Sequence, residues 1–488
     1  MLIDNIFKQP MYPNSKMQIL HKPYKLTKSS HLLCLVFIST FFSFTFLTLN
    51  LLLIFPHTFT TTSSFTGGLF PLPTAINHVV FGIASDKNSW PRRRPQVLRW
   101  WKHKQTRGCV FLDAVPPANT TQPETDPPIC ISGDTSSFRY TFKKGKRSAI
   151  RVARVVLETV SLNHSHVRWF VFSDDDTIFF TENLVKTLAK YDHRMWYYIG
   201  VNSEIYEQNR IFSFDMAFGG AGFAISFPLA KALARVFDPC IQRYPHLYGS
   251  DSRIQSCLAE LGVGLTREPG FHQFDVRGDA VGLLAAHPLS PIVSLHHIDH
   301  IDPIFPNRTR EESIERLFKS VEVDSERMFQ QTICYDRWFS WTISVSWGYA
   351  IQVFPQHLAL PEALKAQETF QPWKKSEAVL ASVYTLNTRQ LHPDLCKRPT
   401  YFFIESVKKK PGGVLVESVY RKYVDNNCTG DSSSPRQLEE IRVQSTKLDL
   451  DYRQVVRRQC CDLLPSSGTT VLELSIRNCE EDELIYMH

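Results

Sequence analysis

Apolar runs and helix-spaced polar stretches alternate along most of the chain. "HVVFGIAS" (His78–Ser85) is an apolar run of the kind that forms a buried strand. A basic, helical stretch follows at Arg92–Lys104, then a second apolar run, "CVFLDAV" (Cys109–Val115), and a Pro/Thr loop over Pro116–Pro128. "KRSAIRVARVVLETVSL" (Lys146–Leu162) places apolar residues at helical spacing, and a third apolar run spans Val167–Ser173. Strands alternating with helices predict an α/β fold with a mainly parallel sheet. Beyond about residue 395 the pattern changes. "GVLVESVYRKYV" and "GTTVLELSIRNC" look like exposed strands, so residues 391–488 read as a small, disulfide-stapled, β-rich extension.

The N-terminus has its own pattern. Leu32–Phe55 holds 24 residues without a formal charge, which at about 1.5 Å rise per residue is long enough to cross a bilayer with some tilt. A signal-peptide core is shorter, roughly 7–15 residues, and a core helix rarely stays apolar on every face for so long. Lysines precede the segment, and no Lys or Arg follows until Lys87. The positive-inside rule then predicts a cytosolic tail (1–30), one spanning segment (31–55) and the bulk of the chain on the far side. Residues 56–76, rich in Thr, Ser, Pro and Gly, read as a stem before a main domain over 77–390.

Composition supports a globular body: 43% of the residues are hydrophobic and 21% charged. The net charge is +7, and Lys8, Lys16, Lys22, Lys25 and Lys28 against Asp4 account for +4 of it. What remains is too dilute for a nucleic-acid surface. Of 11 cysteines, Cys34 lies in the apolar segment, leaving an even ten suited to disulfides in an oxidising compartment. Cys109 with Cys130, and Cys240 with Cys257, are plausible pairs by proximity. Asn119, Asn163, Asn307 and Asn427 head glycosylation sequons.

The third apolar run ends in Asp174-Asp175-Asp176. Charges avoid burial unless they are paired or bound to metal, and the carboxyl end of a strand in an open α/β sheet is where ligands bind. Alternation along an extended chain points Asp174 and Asp176 one way and Asp175 the other. Two converging carboxylates suit Mg2+ or Mn2+; the bland alternatives are a solvated turn or a cap for the helix over Thr181–Lys190. A prenyl-synthase DDxxD is excluded, because Ile178 occupies its last position.

Three further stretches carry chemistry. "FGGAGFAIS" (Phe218–Ser226) offers Gly219, Gly220 and Gly222 for close backbone approach to a ligand, or simply for a tight turn. "YPHLYGSDSRIQSCL" (Tyr244–Leu258) opens a helix with Ser250 or Asp251 as a natural N-cap. "SLHHIDH" (Ser294–His300) has three histidines in five residues, and imidazole nitrogen favours Mn2+ over Mg2+.

The order of these pieces resembles the fringe-like β-1,3-glycosyltransferases, most closely their plant fringe-related branch, over roughly Asn77 to Ala350. "WFVFSDDDT", "FGGAGFAIS", "YGSDSRIQSCL" and "SLHHID" carry the match, and "VSWGYAIQVF" (Val345–Phe354) is similar to the family's last core strand. The resemblance implies a GT-A-type nucleotide-sugar-binding domain with a mixed, mainly parallel sheet, working on a UDP-sugar and a glycan or glycoprotein acceptor in the Golgi membrane. It implies that Asp176, with Asp174 and His296, holds Mn2+ (Mg2+ as the alternative), His297 aligning nearly as well as His296. Asp174 and Asp175 would touch the donor. Gly219, Gly220 and Gly222 would floor its sugar, and Ala84 and Ser85 would hold its uridine side. Asp251 matches the family's base, although Ser250 stands where the family carries a second acid. Arg92–Arg94 would either contact the diphosphate or form a solvated helix face. The expected reaction is inverting, metal-dependent sugar transfer. A non-catalytic binder of glycans or nucleotides is the rival reading, and a phosphotransferase ranks last because no P-loop or kinase signature is present.

Overall fold

The computed structural model describes residues 41, 45, 73–116, 123–373, 383–424, 428, 434–449, 456–466 and 468–487. The chain divides into two units, Met1–Leu72 and Pro73–His488. The expected spanning segment lies outside the described residues apart from Phe41 and Thr45. Among the described residues no helix is long and apolar enough to cross a membrane.

In the second unit, seven strands form a mixed sheet: β1 (Val79–Ala84), β2 (Arg107–Leu112), β3 (Ile129–Ile131), β4 (Trp169–Asp174), β5 (Tyr198–Gly200), β6 (Phe223–Ser226) and β7 (Leu265–Arg267). Their spatial order is β3-β2-β1-β4-β6-β5-β7. Every pair is parallel except the two made by β6, which runs antiparallel to β4 and β5. The apolar runs are continuous because both faces of the sheet are covered. Val80, Phe170 and Phe172 face three helices, α1 (Ser148–Ser161), α2 (Phe227–Gln242) and α3 (Ser250–Glu260), where they meet Ala153, Val156, Leu229, Leu233 and Ile254. Their neighbours Val79, Phe81, Trp169 and Val171 face the opposite way into a larger core, as period-two alternation requires. Each such side chain contributes roughly 1.5–3 kcal/mol by leaving water.

That larger core is shared with a second sheet of eight strands: β8 (Gln331–Asp336), β9 (Trp341–Ser346), β10 (Ala350–Phe354), β11 (Thr400–Lys409), β12 (Leu415–Tyr423), β13 (Glu440–Thr446), β14 (Cys460–Leu464) and β15 (Val471–Arg477). β10 pairs directly with β11, so the expected break at 390/391 runs between hydrogen-bonded neighbours. Ile343, Val353, Phe402, Tyr420, Val443 and Leu474 join one cluster with Phe81 and Trp169 of the first sheet. The strands over 391–488 are therefore five of the eight in a shared layer, rather than an exposed appendage. The sheet curls until its outermost strands meet at the Cys334–Cys461 disulfide, with a Cα separation of 5.2 Å, and such curling removes open edges. "VSWGYAIQVF" is no single strand either: it turns at Gly348, where φ is +75°, and joins β9 to β10 in this second sheet.

All ten remaining cysteines are paired. Cys109–Cys130 and Cys240–Cys257 form as sequence proximity suggests. Cys334–Cys461, Cys396–Cys428 and Cys460–Cys479 complete the set. Asn163 and Asn307 are exposed; Asn119 and Asn427 lie outside the described residues.

Candidate active site

The carboxyl ends of β1 and β4 lie side by side, with Ala84 opposite Asp174. β4 stops at Asp174, and Asp175 and Asp176 form the turn beyond it. The three acids diverge. Asp175 is buried and accepts hydrogen bonds from the Ser85 and Ser89 hydroxyls at 2.6 and 2.8 Å. Asp176 turns the other way, 3.0 Å from His296 Nε2 and 3.3 Å from Arg93. Asp174 lies close enough to Asp176, His296 and Asp251 to feel the charge of each.

Arg93 also reaches Asp299 at 2.7 Å, and Arg94 pairs with Asp126. The expected solvated face thus holds for Arg92 alone; Arg93 is 11% exposed and faces the acids.

Each glycine of the FGGAGFA loop has a separate geometric reason. A Cβ on Gly219 would stand 2.6 Å from Asp251 Oδ1, and one on Gly220 would stand 2.1 Å from the His296 ring. Gly222 has φ +79° and packs against Phe179. Consecutive glycines therefore seat Asp251 and His296 side by side. Asp251 sits in the first turn of α3 without capping it; Gly249 is the N-cap residue, and no side chain caps the helix. Its carboxylate accepts from the Ser250 hydroxyl at 3.0 Å and from the Gly219 backbone N–H.

His296 Nδ1 lies 3.0 Å from the Gln273 carbonyl. An N–H donated there leaves Nε2 turned toward Asp176, the orientation a metal-ligating histidine takes. His297, in the left-handed region at φ +53°, stacks on His296 at 3.6 Å and on Trp373 at 4.4 Å. Its buried Nδ1 has no hydrogen-bond partner among the described residues. Ligand atoms of Asp176, His296 and His297 all fall within 4.8 Å of one another. This set contains both candidate histidines, while Asp174 stands beside it.

The electrostatics match this crowding. Burial and the neighbouring Asp176 raise Asp174 to about 7. Burial also opposes the Asp176 charge, but His296 and Arg93 outweigh it and hold that carboxyl well below its usual range. Burial would lower His296, yet Asp176 reverses this and lifts the imidazole to about 9. Burial and the charge on His296 push His297 down to about 3. Burial raises Asp251 against the opposing Gly219 and Ser250 hydrogen bonds.

Asp251 stands between two spaces. One is a cavity of about 20 Å3 shared with Ala84, Asp174 and Gly219, room for a single water. The other is a cleft of about 200 Å3 walled by Phe212, Phe218, Tyr248 and Trp373, with Asp275 on its floor. Trp373, Gln273 and Asp275 escaped the sequence reading. None sits in a motif, and Trp373 arrives through the pairing of Phe370–Pro372 with Val276–Gly278, a contact far apart in sequence.

Comparisons with known proteins follow this layout. The family model described as "Protein of unknown function, DUF604" matches residues 208–461, just over half of the chain. The model described as "Fringe-like" matches residues 129–280. None of the curated proteins compared matches the sequence. Among solved structures, a mannosyltransferase from Pyrobaculum calidifontis in complex with GDP-Man and Mn2+ aligns at 13% identity and a TM-score of 0.24. That alignment covers 44% of this chain and 62% of the mannosyltransferase, a likeness too slight to argue from. The acid triplet falls in the fringe-like match, the two histidines and Trp373 in the other, and the glycine loop and Asp251 in both. The chain belongs to the DUF604 family, a fringe-related one, and its residues 129–280 are similar to the fringe-like family.

Proposed function

We propose that the protein is an inverting, metal-dependent glycosyltransferase that moves a sugar from a UDP-sugar to a hydroxyl of a glycan or glycoprotein, forming a β-1,3 linkage. The observation that carries this reading is the pair of consecutive glycines that seats a carboxylate (Asp251) on one side and an Asp–His cluster on the other. A transferase needs both: a base for the acceptor hydroxyl, and a site for the diphosphate's charge.

The residues present fit a divalent cation. Asp176 offers a carboxylate, the Gln273 carbonyl orients His296 Nε2, and His297 brings a buried ring nitrogen without a partner. The mixed oxygen and nitrogen set favours Mn2+ over Mg2+. When bound, the cation supplies Lewis-acid stabilisation of the departing diphosphate. Asp176, His296 and His297 would hold it, and Arg93 would add positive charge on the same side. Asp175 fastens Ser85 and Ser89, shaping the end of β1 where the uridine side of the donor is expected.

Asp251 takes the acceptor proton. Its burial raises the carboxyl above its ordinary value, which strengthens it as a base. The aromatic walls of the adjoining cleft suit the apolar face of a sugar ring. We further propose that the segment 31–55 anchors the protein in the Golgi membrane with the catalytic unit lumenal, a placement consistent with five disulfides.

The test is donor turnover. Purified protein with Mn2+ is expected to release UDP from one member of a UDP-sugar panel, and to do so at least about 100-fold more slowly as Asp251→Asn. A protein that binds UDP and turns over no donor with any acceptor would be a binder that kept the fold.

A further inference from the structure

A second, larger cavity lies behind the site. Its volume is about 650 Å3, within the range of roughly 300–1,000 Å3 typical of small-molecule pockets. It opens between the two sheets, with walls from Phe271, Leu283 and Leu386 and polar groups from His272, His287 and Arg458. None of these residues lines the cleft beside Asp251 or belongs to the Asp–His cluster.

The two histidines are the informative feature. His287 is 2% exposed and His272 is 7% exposed. Among the described residues, neither ring nitrogen of His287 makes a hydrogen bond of good geometry, although the Pro288 carbonyl is near. His272 Nε2 is likewise unpartnered, while its Nδ1 faces Glu204 at 3.6 Å. The rings lie 4.9 Å apart. An unsatisfied buried polar atom costs roughly 1–3 kcal/mol, so three on two side chains that line one cavity demand an explanation.

The chemistry narrows the occupant. Burial holds His287 well below its ordinary value, so the ring is neutral, with one nitrogen donating and the other accepting. A group that both donates and accepts answers it, and a hydroxyl does so. The Arg458 guanidinium, anchored to the Gln331 carbonyl at 2.6 Å, offers further donors. Phe271, Leu283 and Leu386 offer apolar surface for the C–H face of a ring. A metal fits poorly, because Glu204, His272 and His287 do not bring three ligand atoms together as Asp176, His296 and His297 do.

We infer that this cavity is a second binding site, taking a polyhydroxylated ring of the size and chemistry of a sugar, separate from the donor and acceptor positions around Asp251. The two sites are back to back: His272 lines this cavity, while the next residue, Gln273, hydrogen-bonds His296 through its carbonyl and the Ala221 N–H through its side chain.

Saturation-transfer NMR on the full chain tests this, with glucose, galactose and N-acetylglucosamine as probes and no nucleotide. Binding of at least one sugar is expected to persist in Asp176→Ala and Asp251→Asn. It should weaken about tenfold in His287→Phe, which removes two hydrogen-bonding nitrogens and keeps the ring, and vanish in Ala286→Trp, which fills the cavity. UDP affinity with Mn2+ in His287→Phe should match the wild type and serves as the folding control. Sugar binding lost in Asp251→Asn but unchanged in His287→Phe would overturn the inference. So would binding of none of the three sugars, or binding of acetate alone. Failure of UDP binding in the wild-type protein would instead strike the transferase reading and leave this one standing.

Discussion

Two buried charged clusters in this molecule look alike and do opposite things. At the foot of the second sheet, Asp324 and Arg327 are 0% and 1% exposed at their side chains and meet at 3.3 Å. Every remaining direction is filled: Asp324 accepts from the Leu448 N–H at 2.9 Å, and Arg327 donates to the Thr446 carbonyl at 2.7 Å and to Gln459. That cluster is balanced, one charge against one, and it ties the helix Arg310–Asp324 to β13. The cluster at the end of β4 is not balanced. Asp174, Asp175, Asp176 and Asp251 crowd around one arginine and one histidine. A balanced buried pair is architecture. A surplus of acids beside an imidazole without a partner is the arrangement on which the proposed cation site rests.

The comparison can be broken in order of effect. Asp251→Asn should lower transfer by about 10²- to 10⁴-fold while leaving the melting temperature unchanged or higher, since a buried charge is lost. In the wild type the rate should rise with pH through an inflection above the ordinary carboxylate value of 3.8, because the raised Asp251 must ionise to act; an inflection at or below that value would contradict the role. Asp324→Ala should do the reverse, reducing stability in urea by about 3–5 kcal/mol by leaving Arg327 buried and unpaired, with UDP affinity in the surviving folded protein unchanged. Gly220→Ala should weaken Mn2+ binding about 10- to 100-fold, the range for disturbing what orients a ligand, because its Cβ would strike the His296 ring. The smallest change is Trp373→Ala, expected to weaken acceptor binding by about 0.5–1.5 kcal/mol, read as a raised acceptor KM with donor KM unmoved.

Local patterns carried the first sheet and much of the site. The apolar runs became β1, β2 and β4 within a few residues, and the triplet fell at a strand end because burial stops where charge begins. Asp251, His296 and the glycines were visible for the same reason: each sits in a short, unusual string. What escaped was long-range. Gly219 and Gly220 looked like a floor for a ligand, whereas their backbone directly abuts Asp251 and His296. Arg92–Arg94 could be read as diphosphate contacts or as a solvated face, and only packing shows that Arg93 turns inward to Asp176 and Asp299. Trp373 and the curled second sheet depend on pairings between segments a hundred residues apart or about that, which periodicity does not encode.

The most direct test separates the two carboxylate jobs in one titration: UDP into the wild type, Asp176→Ala and Asp251→Asn, each with and without Mn2+, alongside donor turnover. The account predicts that Asp251→Asn binds UDP with the wild-type Mn2+ dependence and transfers sugar at least about 100-fold more slowly, and that Asp176→Ala loses the Mn2+-dependent part of UDP binding. Full turnover by Asp251→Asn, or an unchanged Mn2+ dependence in Asp176→Ala, would contradict it.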